Sequence, residues 1–213
     1  MKRLLLSLAT VLVTLFPAIS SAQFHVDPIG GPAGPGPMMQ PRRVGFVHEF
    51  SLVVSGLTGE GAKDYVAGGG AYYTGLFRAQ PNFAIGIHTG FSYAMHAETN
   101  DEIQHAIFAG EARFYIPLGP MMEAWAAVNL GGGSLQEVRD TGYDDESRSG
   151  LLVGFGLGLN WFISPNLSFG GFFRLYRLMW KDDAYVETAD GTFTEAEYYG
   201  LWWTVGGSVT LHY

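Results

Sequence analysis

The sequence predicts an all-β fold: one eight-stranded antiparallel up-and-down transmembrane β-barrel, with short periplasmic turns and longer extracellular loops. Three observations carry that prediction. Apolar residues alternate with small or polar ones at a period of two from Val44 to the C-terminus. The connections between alternating segments are short and long by turns. Charged residues make up only 15% of the 213 residues against 47% hydrophobic ones, and the apolar residues come in short runs broken by glycine.

The chain opens with a targeting pattern. Lys2 and Arg3 are followed by an apolar stretch, Leu4 to Ile19, and Ser20-Ser21-Ala22 offers small residues before a cleavage point at Gln23. Residues 1–22 are therefore expected to be a signal peptide. Residues 23–43 hold Pro28, Pro32, Pro35, Pro37 and Pro41 among Gly30, Gly31, Gly34 and Gly36. Such a run neither donates to a sheet nor holds a helix, and it reads as a periplasmic linker. Residues 44–213 are left for the barrel. Past Ala22 no apolar run approaches the length of a spanning helix. A closed barrel is the other structure that satisfies every backbone group in lipid.

Eight segments follow: 44–57, 64–78, 82–96, 102–117, 120–135, 148–163, 166–181 and 198–213. The last is the clearest. Tyr199, Leu201, Trp203, Val205, Val209, Leu211 and Tyr213 share one face, and Gly200, Thr204, Gly206, Ser208, Thr210 and His212 share the other. Leu151 to Ile163 and Phe83 to Met95 repeat the split. Each segment exceeds the roughly 9–11 residues that a tilted strand needs to cross the hydrocarbon.

The joints sort into two kinds. Ala79-Gln80-Pro81, Leu118-Gly119 and Ser164-Pro165 are short, and every proline beyond the linker lies at one of them. The other four connections are longer, and 16 of the 20 acidic residues lie in or beside them. Short turns on one side and long polar loops on the other are what a membrane barrel requires.

The signal segment Met1–Ala22, the eight alternating segments and the aromatic ending Val209-Thr210-Leu211-His212-Tyr213 together make the chain resemble the small OmpA/OmpX-like outer-membrane β-barrel superfamily. The resemblance implies residence in the outer membrane with both termini periplasmic. It implies contact with outer-membrane lipid and lipopolysaccharide, and recognition of the C-terminal strand by the outer-membrane assembly machinery.

Composition excludes several functions. A net charge of −8 argues against a nucleic-acid partner, which needs clustered Lys and Arg. The absence of cysteine removes disulfides, thiolate nucleophiles and cysteine metal sites. Nothing in the sequence asks for a cofactor. The register points Glu49, His88, Glu111, Arg113, Glu123, Asn160, Arg174 and His212 inward. Buried charges must pair or be hydrated. They form either a structural network plugging a narrow lumen or the lining of a narrow pore for ions or small solutes. Inward glycines such as Gly86, Gly90, Gly154, Gly156 and Gly158 either leave room for water or admit Tyr72, Trp125 and Phe172.

His96 and His105 flank the second long loop, with Glu98, Asp101 and Glu102 between them. They read as a solvated rim or, alternatively, as a zinc site. Tyr73, Tyr93, Trp161, Trp203 and Tyr213 are expected in the two interfacial aromatic belts. The acidic stretch Asp182 to Glu197 is expected to be a solvated loop or a cation-bridged contact with lipopolysaccharide phosphates.

The functional expectation is a non-enzymatic barrel with a structural, envelope-integrity or surface-contact role. The alternatives are a narrow pore and a lipid-A-modifying or small hydrophobic ligand-binding barrel. A lipid hydrolase needs Ser, His and a carboxylate within reach of one another. The His-x-Ser-Asn run of one such family is missing, since Thr89-Gly90 follows His88 and Ala106-Ile107 follows His105.

Overall fold

The computed structural model describes residues 43–59, 62–99, 101–138, 146–180, 185–187, 193–195 and 201–213. The alternating segments become β1 (Gly45–Leu57), β2 (Tyr65–Gln80), β3 (Phe83–His96), β4 (Glu102–Pro117), β5 (Met122–Val138), β6 (Glu146–Ser164) and β7 (Leu167–Trp180). Two short strands follow, β8 (Tyr185–Glu187) and β9 (Phe193–Glu195), and then β10 (Trp202–His212). Valine, isoleucine and aromatic residues at every second position favour the pleated backbone, because each packs on its cross-strand neighbours.

The eight long strands close into a barrel in the order β1-β10-β7-β6-β5-β4-β3-β2, every pair antiparallel. The seam pairs β1 with β10 from Val47↔His212 to Leu57↔Trp202. Phe46 and Tyr213 extend it with reciprocal backbone hydrogen bonds of 3.1 and 2.8 Å. Closure leaves no edge strand, and in lipid that is a requirement.

The alternation sorts the side chains. Phe50, Leu52, Phe108, Leu130 and Trp161 face outward, Leu52 with 74% and Phe108 with 64% of its surface exposed. An apolar collar of this extent is unsupportable in water and matches the hydrocarbon of a bilayer. Among the described residues no helix is long and apolar enough to cross a membrane. The strands do the crossing.

The short connections at one end are Pro81-Asn82, 118–121 and Pro165-Asn166. We call this the turn end and the opposite one the loop end. Several boundaries differ from the sequence expectation. β2 continues through Ala79-Gln80, expected in a turn, with a register slip between Arg78 and Gln80. β5 runs on to Val138, β6 begins at Glu146, and β10 begins at Trp202 rather than near 198. The connection before β10, expected to be a plain loop, contains the hairpin β8–β9. The expected signal peptide and the linker up to residue 42 lie outside the described residues, as do residues 139–145 and most of the acidic stretch from 182 to 197.

Candidate functional site

The lumen is the site with chemistry. It is stratified along the barrel axis, and each layer follows from the inward register of the strands.

Nearest the turns, Arg78 from β2 meets Glu123 from β5. The guanidinium donates through Nη1 and Nη2 to the two carboxylate oxygens, at 3.1 and 3.0 Å. It also donates to the Pro81 carbonyl in the adjacent turn, through Nε at 3.0 Å and through Nη2. The Tyr115 ring lies beneath it at 3.7 Å. Asn160 donates to Glu123 at 3.4 Å and accepts from the Trp125 indole at 3.3 Å.

The middle layer is a four-member ion network. Arg113 from β4 donates to both oxygens of Glu49 on β1, at 2.6 and 3.1 Å, and through Nε to Glu111 at 2.7 Å. Arg174 from β7 donates to Glu111 at 2.7 Å and to the Asn129 side-chain oxygen at 3.2 Å. The Asn129 amide donates back to Glu111 at 2.9 Å. Trp125 lies under both guanidiniums, 4.0 Å from Arg113 and 5.1 Å from Arg174. Glu49, Glu111 and Glu123 thus face Arg78, Arg113 and Arg174, all essentially without solvent exposure. Bidentate pairs of this kind are what make buried charge tolerable.

Above the ion network, aromatic rings take over. His88, Tyr72 and Tyr176 form a triangle of rings, with the His88 centroid 5.1 Å from Tyr72 and 6.0 Å from Tyr176 and the two tyrosines 6.3 Å apart. Its Nδ1 hydrogen-bonds Thr74 at 2.8 Å and its Nε2 the Tyr176 hydroxyl at 2.7 Å. The Ser92 hydroxyl bonds Tyr72 at 2.7 Å and accepts from the Trp202 indole at 2.9 Å. At the loop end, Ile103, Ile107, Leu135 and Leu152 pack with Trp202 into an apolar layer, with Leu57 and Leu178 against it.

The glycines accommodate these rings. A Cβ on Gly158 would sit 2.5 Å from the Trp125 ring, and one on Gly154 would sit 2.6 Å from Tyr176. The space beside Gly154, Gly156 and Gly158 is therefore occupied by side chains from neighbouring strands, whereas Gly86 faces the close backbone of Gly75 and Leu76.

All eight residues read from the sequence as inward are buried: Glu49, His88, Glu111, Arg113, Glu123, Asn160, Arg174 and His212. The structure gathers Glu49, Glu111, Arg113 and Arg174 into one network, with the His88 ring 3.8 Å from Glu111. Glu123 pairs instead with Arg78, a residue the sequence reading missed. The inward series Tyr72, Thr74, Leu76 continues to Arg78, so the period of two marks it.

The proposed pairing of His96 and His105 is corrected. His105 points into the lumen with 1% exposure, its ring 4.8 Å from that of Trp202. His96 sits at the rim, edge-on to Tyr65, and its Nδ1 accepts from the Glu98 and Thr99 amides. His105 pairs across the hairpin with Ser92, four residues before His96, which separates the two rings along the strand. Among the described residues no group of three or more His, Asp or Glu is arranged to hold a metal.

Tyr73, Tyr93, Trp161, Trp203 and Tyr213 lie on the outward face. Trp161 and Tyr213 lie near the turn end, and Tyr93 and Trp203 near the loop end. Tyr73 is rooted nearer the middle of β2, its hydroxyl bonded to His48.

No protein-family model matches the chain, and no curated protein matches it in sequence. Solved structures do. Neisserial surface protein A superposes with a TM-score of 0.55 at 10% identity, over 79% of this chain and 97% of that one. Ail, the attachment invasion locus protein of Yersinia pestis, gives 0.49 at 12% identity, over 78% and 99% of the two chains. The outer membrane protein OprG from Pseudomonas aeruginosa gives 0.48 at 10% identity, over 82% and 100%. At these identities the likeness is one of fold. A closed wall of eight antiparallel strands, apolar outside and polar within, gives this chain the fold of the small OmpA/OmpX-like outer-membrane β-barrels.

Proposed function

We propose that the chain is a non-enzymatic integral outer-membrane barrel with a structural role, a plugged wall that meets its surroundings through its acidic loops. The observation that carries this reading is the filled lumen. Three carboxylates and three guanidiniums pair with one another there, under an apolar layer at the loop end. A passage for hydrated ions would need polar groups free to replace the hydration shell.

In this reading residues 1–22 are a signal peptide and 23–43 a periplasmic linker, so the turn end and both termini face the periplasm. The C-terminal strand is then the segment read by the assembly machinery, and outer-membrane lipid and lipopolysaccharide surround the wall. The imidazoles support a non-enzymatic reading. His88 is held by Thr74 and Tyr176. His212 meets Ser168 at 3.0 Å, but its Nδ1 has no carboxylate partner and the pair faces the lumen.

A second reading, a narrow pore, is favoured by one feature. The hydroxyls of Thr204, Ser208 and Thr210 line the inner face of β10, buried and without protein partners. Groups of this kind hold internal water where there is room.

Single-channel recording of the refolded protein in planar bilayers separates the two readings, with Glu111→Gln and Arg113→Gln as companions. A silent bilayer with verified folding is the expected result. Reproducible openings that either substitution alters would replace the plug with the pore.

A further inference from the structure

The outward row of β1 carries one residue that the lipid environment does not explain. His48 occupies the lipid-facing row of β1, between Phe46 and Phe50. In the half of the wall nearer the turns, it is the one imidazole on the outward face among the described residues.

His48 is held in a built setting. Its Nδ1 lies 2.7 Å from the Tyr73 hydroxyl. Its ring meets Tyr213 edge-on, with centroids 5.8 Å apart. Tyr73 reaches it only because position 75, opposite His48, is glycine: a Cβ there would sit 2.8 Å from the Tyr73 hydroxyl. In the tautomer whose Nδ1 accepts from Tyr73, the imidazole carries its proton on Nε2. No protein atom among the described residues accepts that proton.

An unpaired N–H at a lipid-facing surface is costly unless the lipid supplies the acceptor. Tyr213 ends the barrel at the turn end, so the pocket lies at the depth of the interfacial aromatic belt, where headgroups begin.

We propose that His48, Tyr73 and Tyr213 form a binding site for the phosphodiester of a phospholipid headgroup in the leaflet at the turn end. The Nε2 proton is donated to a phosphate oxygen, and the two phenol rings flank the headgroup. The proposal rests on the transmembrane placement of the barrel.

The test is nitrogen NMR of the histidine-labelled full chain, folded in maltoside micelles and titrated with dihexanoylphosphatidylglycerol. His48→Phe assigns the signal, and altered gel mobility on heating verifies folding. The expected result is a saturable shift of the His48 Nε2 resonance, with affinity weakened about fivefold in Tyr73→Phe, where the proton is no longer pinned. Two further arms use dihexanoylglycerol, which has the same ester groups without phosphate, and inorganic phosphate. If either reproduces the shift at equal affinity, or if the phospholipid produces none in the folded barrel, the headgroup site is wrong. Failure to fold in micelles at all would instead overturn the membrane-barrel reading on which the site depends.

Discussion

Arg113 grips Glu49 with two hydrogen bonds, of 2.6 and 3.1 Å, across the lumen from a strand three neighbours away in the barrel. The same guanidinium also holds Glu111, its neighbour two residues earlier on β4. Arg113 and Arg174 thus share two carboxylates away from bulk solvent, and the pairing tests how the lumen is stabilised.

Replacing Arg113 by methionine leaves Glu49 without its bidentate partner. The expected loss is about 3–5 kcal/mol of unfolding free energy, the range for stranding a buried charge. Denaturant unfolding in lipid vesicles measures it. The double variant Glu49→Gln, Arg113→Met should lose clearly less than the two single losses added together, because Arg113→Met alone leaves a Glu49 charge that the double variant no longer carries. Additive losses would show that the two groups do not act as a pair.

Gly158 makes room for Trp125, so its cost is one of volume. Gly158→Val should destabilise the barrel by about 1–3 kcal/mol through overpacking. Trp125→Leu in the same chain should recover part of that loss. The temperature at which the folded band disappears on gels reads both effects. Equal stability of Gly158→Val and the parent would place the indole elsewhere.

Ser92 is a junction, serving the Tyr72 hydroxyl and the Trp202 indole at once. Ser92→Ala removes both partnerships in one step. The expected loss is about 1–3 kcal/mol, the cost of leaving buried polar groups unsatisfied. Trp202→Phe in the Ser92→Ala background should cost less than it does in the parent. Denaturant unfolding of the four proteins closes that cycle.

The parts of the fold that were legible in the sequence are those that lipid dictates. A bilayer favours apolar residues along the outward rows, so the runs from Leu151 to Ile163 and from Trp203 to Tyr213 announce their register. The inward face obeys no such uniform rule, and there the reading was partial. Charges were assigned to the lumen by alternation, but their partners come from strands far apart in the chain, so the ion pairs themselves were not visible.

Arg78 was hidden by its place beside the Pro81 joint, where the strand was expected to have ended. His105 was read as rim because a loop follows His96 nearby. The inward series Glu111, Ala109, Ile107 carries back to it and puts it inside. The β8–β9 hairpin escaped for a different reason: three residues a side give alternation too little length to register.

The wiring of the lumen bears on the order in which such a wall can be made. Arg78 on β2 reaches β5, Glu49 on β1 reaches β4, and Arg174 on β7 reaches β4 from the other side. A lone hairpin entering the bilayer would carry these charges unanswered, except where Glu111 and Arg113 already share a strand. The pairs Arg78–Glu123 and Arg113–Glu49 need β1 to β5 drawn together around the lumen, and Arg174 joins them only when β7 arrives. Curling the first five strands answers most of the lumenal charge, and the strands that close the wall bring the last guanidinium to a site already built.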